Sequence, residues 1–106
     1  MSKFYVRIEN AQGIIAEKND CSTIQEATAI AFGSRIIGDY SGEFGIDGYA
    51  CKIQFERKNS RYTMREISEA GVFVSRKKTK QWLITCIEAY MNMAMFSYKF
   101  EMRGRQ

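Results

Sequence analysis

Strict alternation opens the chain. In KFYVRIEN (Lys3 to Asn10), Phe4, Val6 and Ile8 fall on one side and Tyr5, Arg7 and Glu9 on the other, the period-two pattern of a half-buried strand. NAQG (Asn10 to Gly13) reads as a short turn with Gly13 free to take a positive φ, and IIAEK returns as a second strand. The period then changes. Ser22 with Gln25, or Thr23 with Glu26, offers a capping box at a helix start. Ile24, Ala27, Ile30, Ala31 and Ser34 share one face of that helix, and the small residues among them allow close approach to a sheet. Gly38 is placed to end it as a C′ residue.

The next stretch, GDYSGEFGIDGY (Gly38 to Tyr49), holds four glycines and three acids and reads as a flexible acidic connection from helix to strand. Alternation resumes in YACKIQFER, with Tyr49, Cys51, Ile53 and Phe55 inward and Lys52, Gln54 and Glu56 outward. Lys58 to Ser60 is a hairpin turn, followed by a fourth strand near Tyr62 to Ile67. TMRE (Thr63 to Glu66) also fits a capping box, which would make REISEAG a short helix closed by Gly71, so two assignments stand there. Val72 to Val74 is a strand in either case. A long helix starts at about Thr79, with Trp82, Cys86, Tyr90, Met93 and Phe96/Ser97 at helical spacing and Leu83, Ile87, Met91 and Ala94 widening the stripe. Met91, Met93 and Met95 read as adaptable core fillers and Trp82 as a core anchor. YKFEMR alternates, which admits a terminal strand from Tyr98. The fold class that follows is α+β: a small, mostly antiparallel sheet of about four to five strands, order β-β-α-β-β-(β)-α, with two helices packed on one face. It forms a single domain over residues 1–106, with no repeat or linker.

Composition changes this picture mainly by exclusion. The chain has 106 residues, three cysteines, no proline and no histidine. Without histidine there is no Ser–His or Cys–His pair, no His-ligated zinc and no ordinary neutral-pH proton shuttle. Cys21, Cys51 and Cys86 are too far apart for a CxxC or zinc pattern and read as free thiols, Cys51 and Cys86 as core filler. The first residues contain no apolar h-region, and no apolar run approaches the ~18 residues of a membrane span. A reducing cytoplasm, no membrane, no cofactor and no catalytic residue are the expectations.

Charge is unevenly placed. Through Cys51 there are four basic and seven acidic residues; from Lys52 onward there are twelve basic and five acidic. A polyanionic partner for the second half is one implication, provided folding keeps the halves apart. The acidic stretch itself fails two chemical tests. It has no Lys or Arg to meet phosphate, as a GxxxxGK[ST] loop needs. Read as a calcium loop from Asp39, it places Phe44 where glycine is required and Ala50 where a bidentate Glu belongs, so no metal is expected. What remains is a plain flexible connection or, if it contacts anything, a protein partner met through Tyr40, Glu43, Phe44 and Asp47.

Two basic segments carry more. ERKNSRYTMR sets Arg57, Lys58 and Arg61 on a hairpin that can follow a nucleic-acid backbone or protect a sheet edge. SRKKTK sets Arg76, Lys77, Lys78 and Lys80 at a helix N-terminus, where cations oppose the macrodipole and, with exposed N–H groups, favour an anion. VSRKKTKQWL resembles the stretch that leads into the last helix of a double-stranded-RNA-binding domain, a resemblance that implies phosphate contacts at Ser75, Arg76, Lys77, Lys78 and Lys80. It covers about ten residues. The rest departs, with bulky residues on the last helix, no Gly-Pro-x-His and an extra N-terminal hairpin. REISEAGVFVSRKKTKQWL is also similar to a helix-turn-helix, with its alanine-to-glycine spacing one residue off. Neither likeness amounts to a family assignment. The function expected is non-enzymatic binding of a nucleic acid or nucleoprotein complex through Arg57, Lys58, Arg61, Arg76, Lys77, Lys78 and Lys80. The alternative is a protein-directed inhibitor or adaptor, of the compact accessory type that phages and mobile elements use against host systems. It would act through the acidic stretch and the apolar last helix, which also admits a homodimer.

Overall fold

A computed structural model describes residues 3–33, 36–68, 71–77 and 79–104, with the backbone alone at 73, 76 and 77. The elements are β1 (Phe4–Asn10), β2 (Gly13–Cys21), α1 (Ile24–Phe32), β3 (Tyr40–Ile46), β4 (Lys52–Lys58), β5 (Arg61–Ser68), β6 (Gly71–Lys77) and α2 (Lys80–Gly104). The six strands form one sheet in the order β2-β1-β3-β4-β5-β6, every neighbouring pair antiparallel. One face of it carries both helices over a core of Phe4, Val6, Ile8, Phe44, Ile46, Ile53, Phe55 and Met64 from the strands with Ile24, Ala27, Leu83, Ile87 and Met91 from the helices. Among the described residues no helix is long and apolar enough to cross a membrane.

The α+β class and the helix-covered antiparallel sheet are as the pattern predicts, but the sheet has six strands rather than four or five. The added strand is β3, Tyr40–Ile46, which the sequence reading takes for a flexible loop. It is a central strand, paired with β1 through Val6 and Phe44 and with β4 through Phe44 and Ile53. Tyr40, Phe44 and Ile46 alternate into the core as a strand requires. The inward position between Tyr40 and Phe44 is Gly42, and its bareness disguises the alternation. A Cβ at Gly42 would overlap the Phe55 ring and Ile8 Cδ1, and one at Gly45, on the opposite face, would overlap the Tyr5 ring. These two glycines therefore provide room for large neighbours, whereas Gly38 and Gly48, at φ 86° and 82°, shape the turns at the two ends of the strand.

Other differences are smaller. α1 ends at Phe32, with the Gly33 N–H bonded to the Ala29 carbonyl, so Gly38 lies beyond its cap. Its N-terminus uses Thr23 with Glu26: Thr23 Oγ1 accepts from the Glu26 N–H at 3.1 Å, and Glu26 Oε2 accepts from the Ser22 N–H at 3.2 Å. Residues 61–68 are strand, so TMRE opens no helix, and the helix-turn-helix likeness falls on the β5–β6 hairpin instead. The double-stranded-RNA-binding order also departs, because four strands rather than three lie between the helices. α2 runs on to Gly104, which excludes a terminal strand from Tyr98. Its buried residues are Leu83, Ile87, Met91, Ala94 and Met95. Trp82, Cys86 and Tyr90 pack against the core rim, but Met93 and Phe96, expected inside, face solvent. Cys51 lies at the core rim as well, while Cys21 is fully buried. The β4–β5 turn is as expected: Asn59 and Ser60, at φ 53° and 64°, make a two-residue connection between the paired Lys58 and Arg61.

Replacing Gly42 by Ala forces a methyl into a filled site between two core side chains. The expected cost is about 1–3 kcal/mol, read as a lower midpoint in denaturant unfolding with unchanged slope.

Candidate nucleic-acid interface

The antiparallel registers decide which ends meet. β4 pairs with β5 from Lys58 and Arg61 backwards, and Tyr62 stands opposite Lys77 in β6. The tip of the β4–β5 hairpin therefore lies beside the C-terminal end of β6, from which the chain passes to α2 at Lys80. Two basic segments, separate in sequence, are brought to one end of the sheet. Lys58, Arg61 and Lys80 are exposed there, and among the described residues none of the three is in an ion pair. Residues 76 and 77 are placed by their β6 register opposite Thr63 and Tyr62. Lys78 lies outside the described residues.

Arg57 differs from its neighbours. Its Nη1 donates to the Gly38 carbonyl at 2.7 Å, and its guanidinium sits 5.9 Å from the Tyr40 ring centroid. It braces the start of β3 while adding positive charge to the same end. Below it, the Tyr40 and Tyr62 hydroxyls are 3.2 Å apart, and burial first, then this mutual bond, pushes the Tyr40 phenol well above its usual value. Glu9, Asp39 and Glu56 line a cleft with Arg57 and Lys58, and Asp39 Oδ1 accepts from the Asn59 N–H at 3.1 Å and so fixes the hairpin turn. At α2, Thr79 Oγ1 accepts from the Trp82 N–H at 3.2 Å, capping the helix, and no acid occupies the first turn.

The sheet order groups the strands of each charged half side by side, the two groups meeting at β3–β4, where Lys52 reaches Glu43. Strands from the acidic half, β2, β1 and β3, are contiguous, and so are β4, β5 and β6 from the basic half. On the acidic side the few cations are consumed locally: Arg7 pairs with Glu9 and Glu17, and Lys18 with Asp20 and Glu26.

Of the four residues expected to meet a protein partner, three are unavailable as a loop surface. Tyr40 and Phe44 are 7% and 0% exposed, inside an aromatic cluster with Phe32, Phe55 and Tyr62. Glu43 lies half-buried on the open face of the sheet, and Asp47 alone is exposed, in the turn after β3. The reason is β3 itself: strand alternation turns two of them into the core and the third onto the sheet.

No protein-family model, curated protein or solved structure matches this chain.

The open face shows what sequence reasoning missed. Tyr5 donates its hydroxyl to Glu43 Oε2 and Gln54 its amide to Glu43 Oε1, each at 2.8 Å, while Lys52 Nζ lies 3.6 Å from Oε1. Burial works against the Glu43 charge, but the Gln54 and Tyr5 bonds and the Lys52 charge outweigh it and hold the carboxyl below its usual range. This cluster floors a shallow groove of about 440 Å³ lined by Arg7, Glu9, Glu43, Gln54, Glu56 and Arg65. Cross-strand pairing brings the three polar partners together, Tyr5 beside Gly45 and Glu43 opposite Gln54, which no local motif announces. With every acceptor of Glu43 engaged by the chain's own donors, the cluster serves as a polar clamp across β1, β3 and β4. A carboxylate held below its unfolded value contributes stability that is complete above that value, 4.5, and lost as pH falls through the folded one. Glu43→Gln is therefore expected to be about 1 kcal/mol less stable than the parent at about pH 7, with the gap narrowing as pH falls below 4.5, measured by urea midpoints.

Proposed function

We propose that this chain is a non-enzymatic protein that binds nucleic acid, free or within a nucleoprotein complex, through its basic end. The observation that carries the reading is the register of Tyr62 with Lys77, which sets the SRKKTK run beside the β4–β5 hairpin tip. Arg57, Lys58, Arg61 and Lys80 then gather with positions 76 and 77 of β6 at one end of the sheet, and Lys78 joins the proposed contact set by its place in the sequence. Such a surface suits a phosphate backbone, which asks for closely spaced cations and no particular base contact. The hairpin tip is short and exposed, and strands about 4.8 Å apart space its cations closely enough to reach successive phosphates. The chemistry of the chain favours binding over catalysis, since it has no histidine to activate a nucleophile. The adaptor reading loses its acidic loop to β3 and keeps only the apolar helix.

Salt dependence tests this directly. If five of the seven cations each neutralise one phosphate, log Kobs should fall with log salt at a slope of about −4.5 for duplex or about −3.5 for a single strand. Combined Lys77→Ala, Lys78→Ala and Lys80→Ala substitution should flatten the duplex slope by about 2.7, measured by fluorescence anisotropy on a labelled oligonucleotide. Full affinity and an unchanged slope in that variant would remove the basis of the proposal.

A further inference from the structure

α2 is amphipathic twice over. Its inner face, Leu83, Ile87, Met91 and Ala94, is buried on the sheet. On the opposite side Met93, Phe96 and Phe100 are 71%, 73% and 71% exposed and fall in one row with Ala89 at spacings of three and four. A monomer has no use for two phenylalanines and a methionine held in water along one line of a 25-residue helix. We infer that a second copy of this chain covers this row, the two α2 helices running antiparallel about a two-fold axis between Ala94 and Met95.

The sequence of the row is its own complement under that operation. Met93 meets Phe96 of the other copy, and Ala89, the one small residue of the row, leaves the hole that Phe100 fills. Beside them Asn92 comes to Lys99 on one margin and Ser97 to Tyr90 on the other, polar pairs able to hydrogen-bond. No like charges are opposed. Lys99 comes to Asn92 and Arg103 to Cys86, and the two Arg103 residues lie at opposite ends of the interface. Glu88 and Glu101 point away from it, toward Thr28 and Tyr49 of their own chain. The area is also of the right order. At ~200 Å² for each large side chain, the three exposed ones present roughly 430 Å² per copy. That is about half of the ~800 Å² per partner of a stable interface, the flanking polar positions adding the rest as a rim. The product is a four-layer stack, sheet, helices, helices, sheet, with both open sheet faces and both basic ends left free.

Sedimentation velocity on the full chain, from about 2 to about 200 µM, reads the result as mass. The parent should move from 12.3 kDa toward twice that value as concentration rises. Phe96→Glu and, independently, Met93→Lys should each stay at 12.3 kDa throughout, with unchanged circular dichroism, since both side chains stand in solvent in the single chain. Lys58→Ala with Arg61→Ala should dimerise as the parent does, which separates this inference from nucleic-acid binding. A parent that remains monomeric, a Phe96→Glu chain that still dimerises, or a dimer dispersed instead by Val74→Lys on the β6 edge would each overturn it.

Discussion

The fold depends on close approach at β3. This strand joins two antiparallel units, the β1–β2 hairpin and the β4–β5–β6 meander, into one sheet, and without it neither unit has a partner to complete the core. Large residues press on it from both sides: Ile8 and Phe55 across Gly42 on the helix-covered face, Tyr5 across Gly45 on the open one. Glycine is ordinarily a poor strand residue, since it loses backbone entropy and offers nothing to pack. Here the loss is offset because the neighbours fill its space with aromatic surface. The Phe55 ring, brought in over Gly42, lies 5.9 Å from Phe44 and 5.3 Å from Phe32, and so ties the sheet to the end of α1. Over Gly45, Tyr5 reaches the Glu43 carboxylate and closes the polar clamp. The same two absences of a side chain thus support the core and the open face.

That explains which parts of the molecule were legible in sequence. β1, β4 and the long helix announce themselves because burial on one side writes a period into the residue order. β3 carries the same period, Tyr40, Gly42, Phe44, Ile46, with the signal missing at the one position where a neighbour's bulk replaces its own. Acids at Asp39, Glu43 and Asp47 deepened the disguise, although one fixes a turn, one is clamped by three partners and one stands in a turn. α2 failed differently. Its two apolar rows have the same spacing, so periodicity cannot say which row meets the sheet. Only the position of the sheet selects Leu83, Ile87 and Met91 over Met93 and Phe96.

Charge follows topology in the same way. An imbalance between the halves of a chain says little about a surface until the strand order is known. The order β2-β1-β3-β4-β5-β6 is the one that maps sequence halves onto the two sides of the sheet. An interleaved order would have set acids between the basic strands and cancelled the field. Instead Arg7 and Lys18 are spent on acids of their own side, whereas among the described residues Lys58 and Arg61 of the hairpin tip form no ion pair.

The two helix starts make a controlled comparison within one molecule. α1 begins as helices usually do, with a Thr cap and Glu26 in the first turn, where a negative charge complements the dipole. α2 also has a Thr cap but no acid in its first turn, and in the sequence Lys77, Lys78 and Lys80 flank its start. Each such cation costs a few tenths of a kcal/mol against the dipole and repels the others besides. A helix with so much apolar surface on its inner face can bear that cost, and burial of Leu83, Ile87 and Met91 exceeds it several-fold. Core packing therefore permits the cluster without requiring it. The balance changes when an anion is present, since a bound phosphate relieves both the dipole conflict and the repulsion. If the basic end binds phosphate as proposed, the chain should be most stable when that end is occupied, the converse of binding that falls with salt.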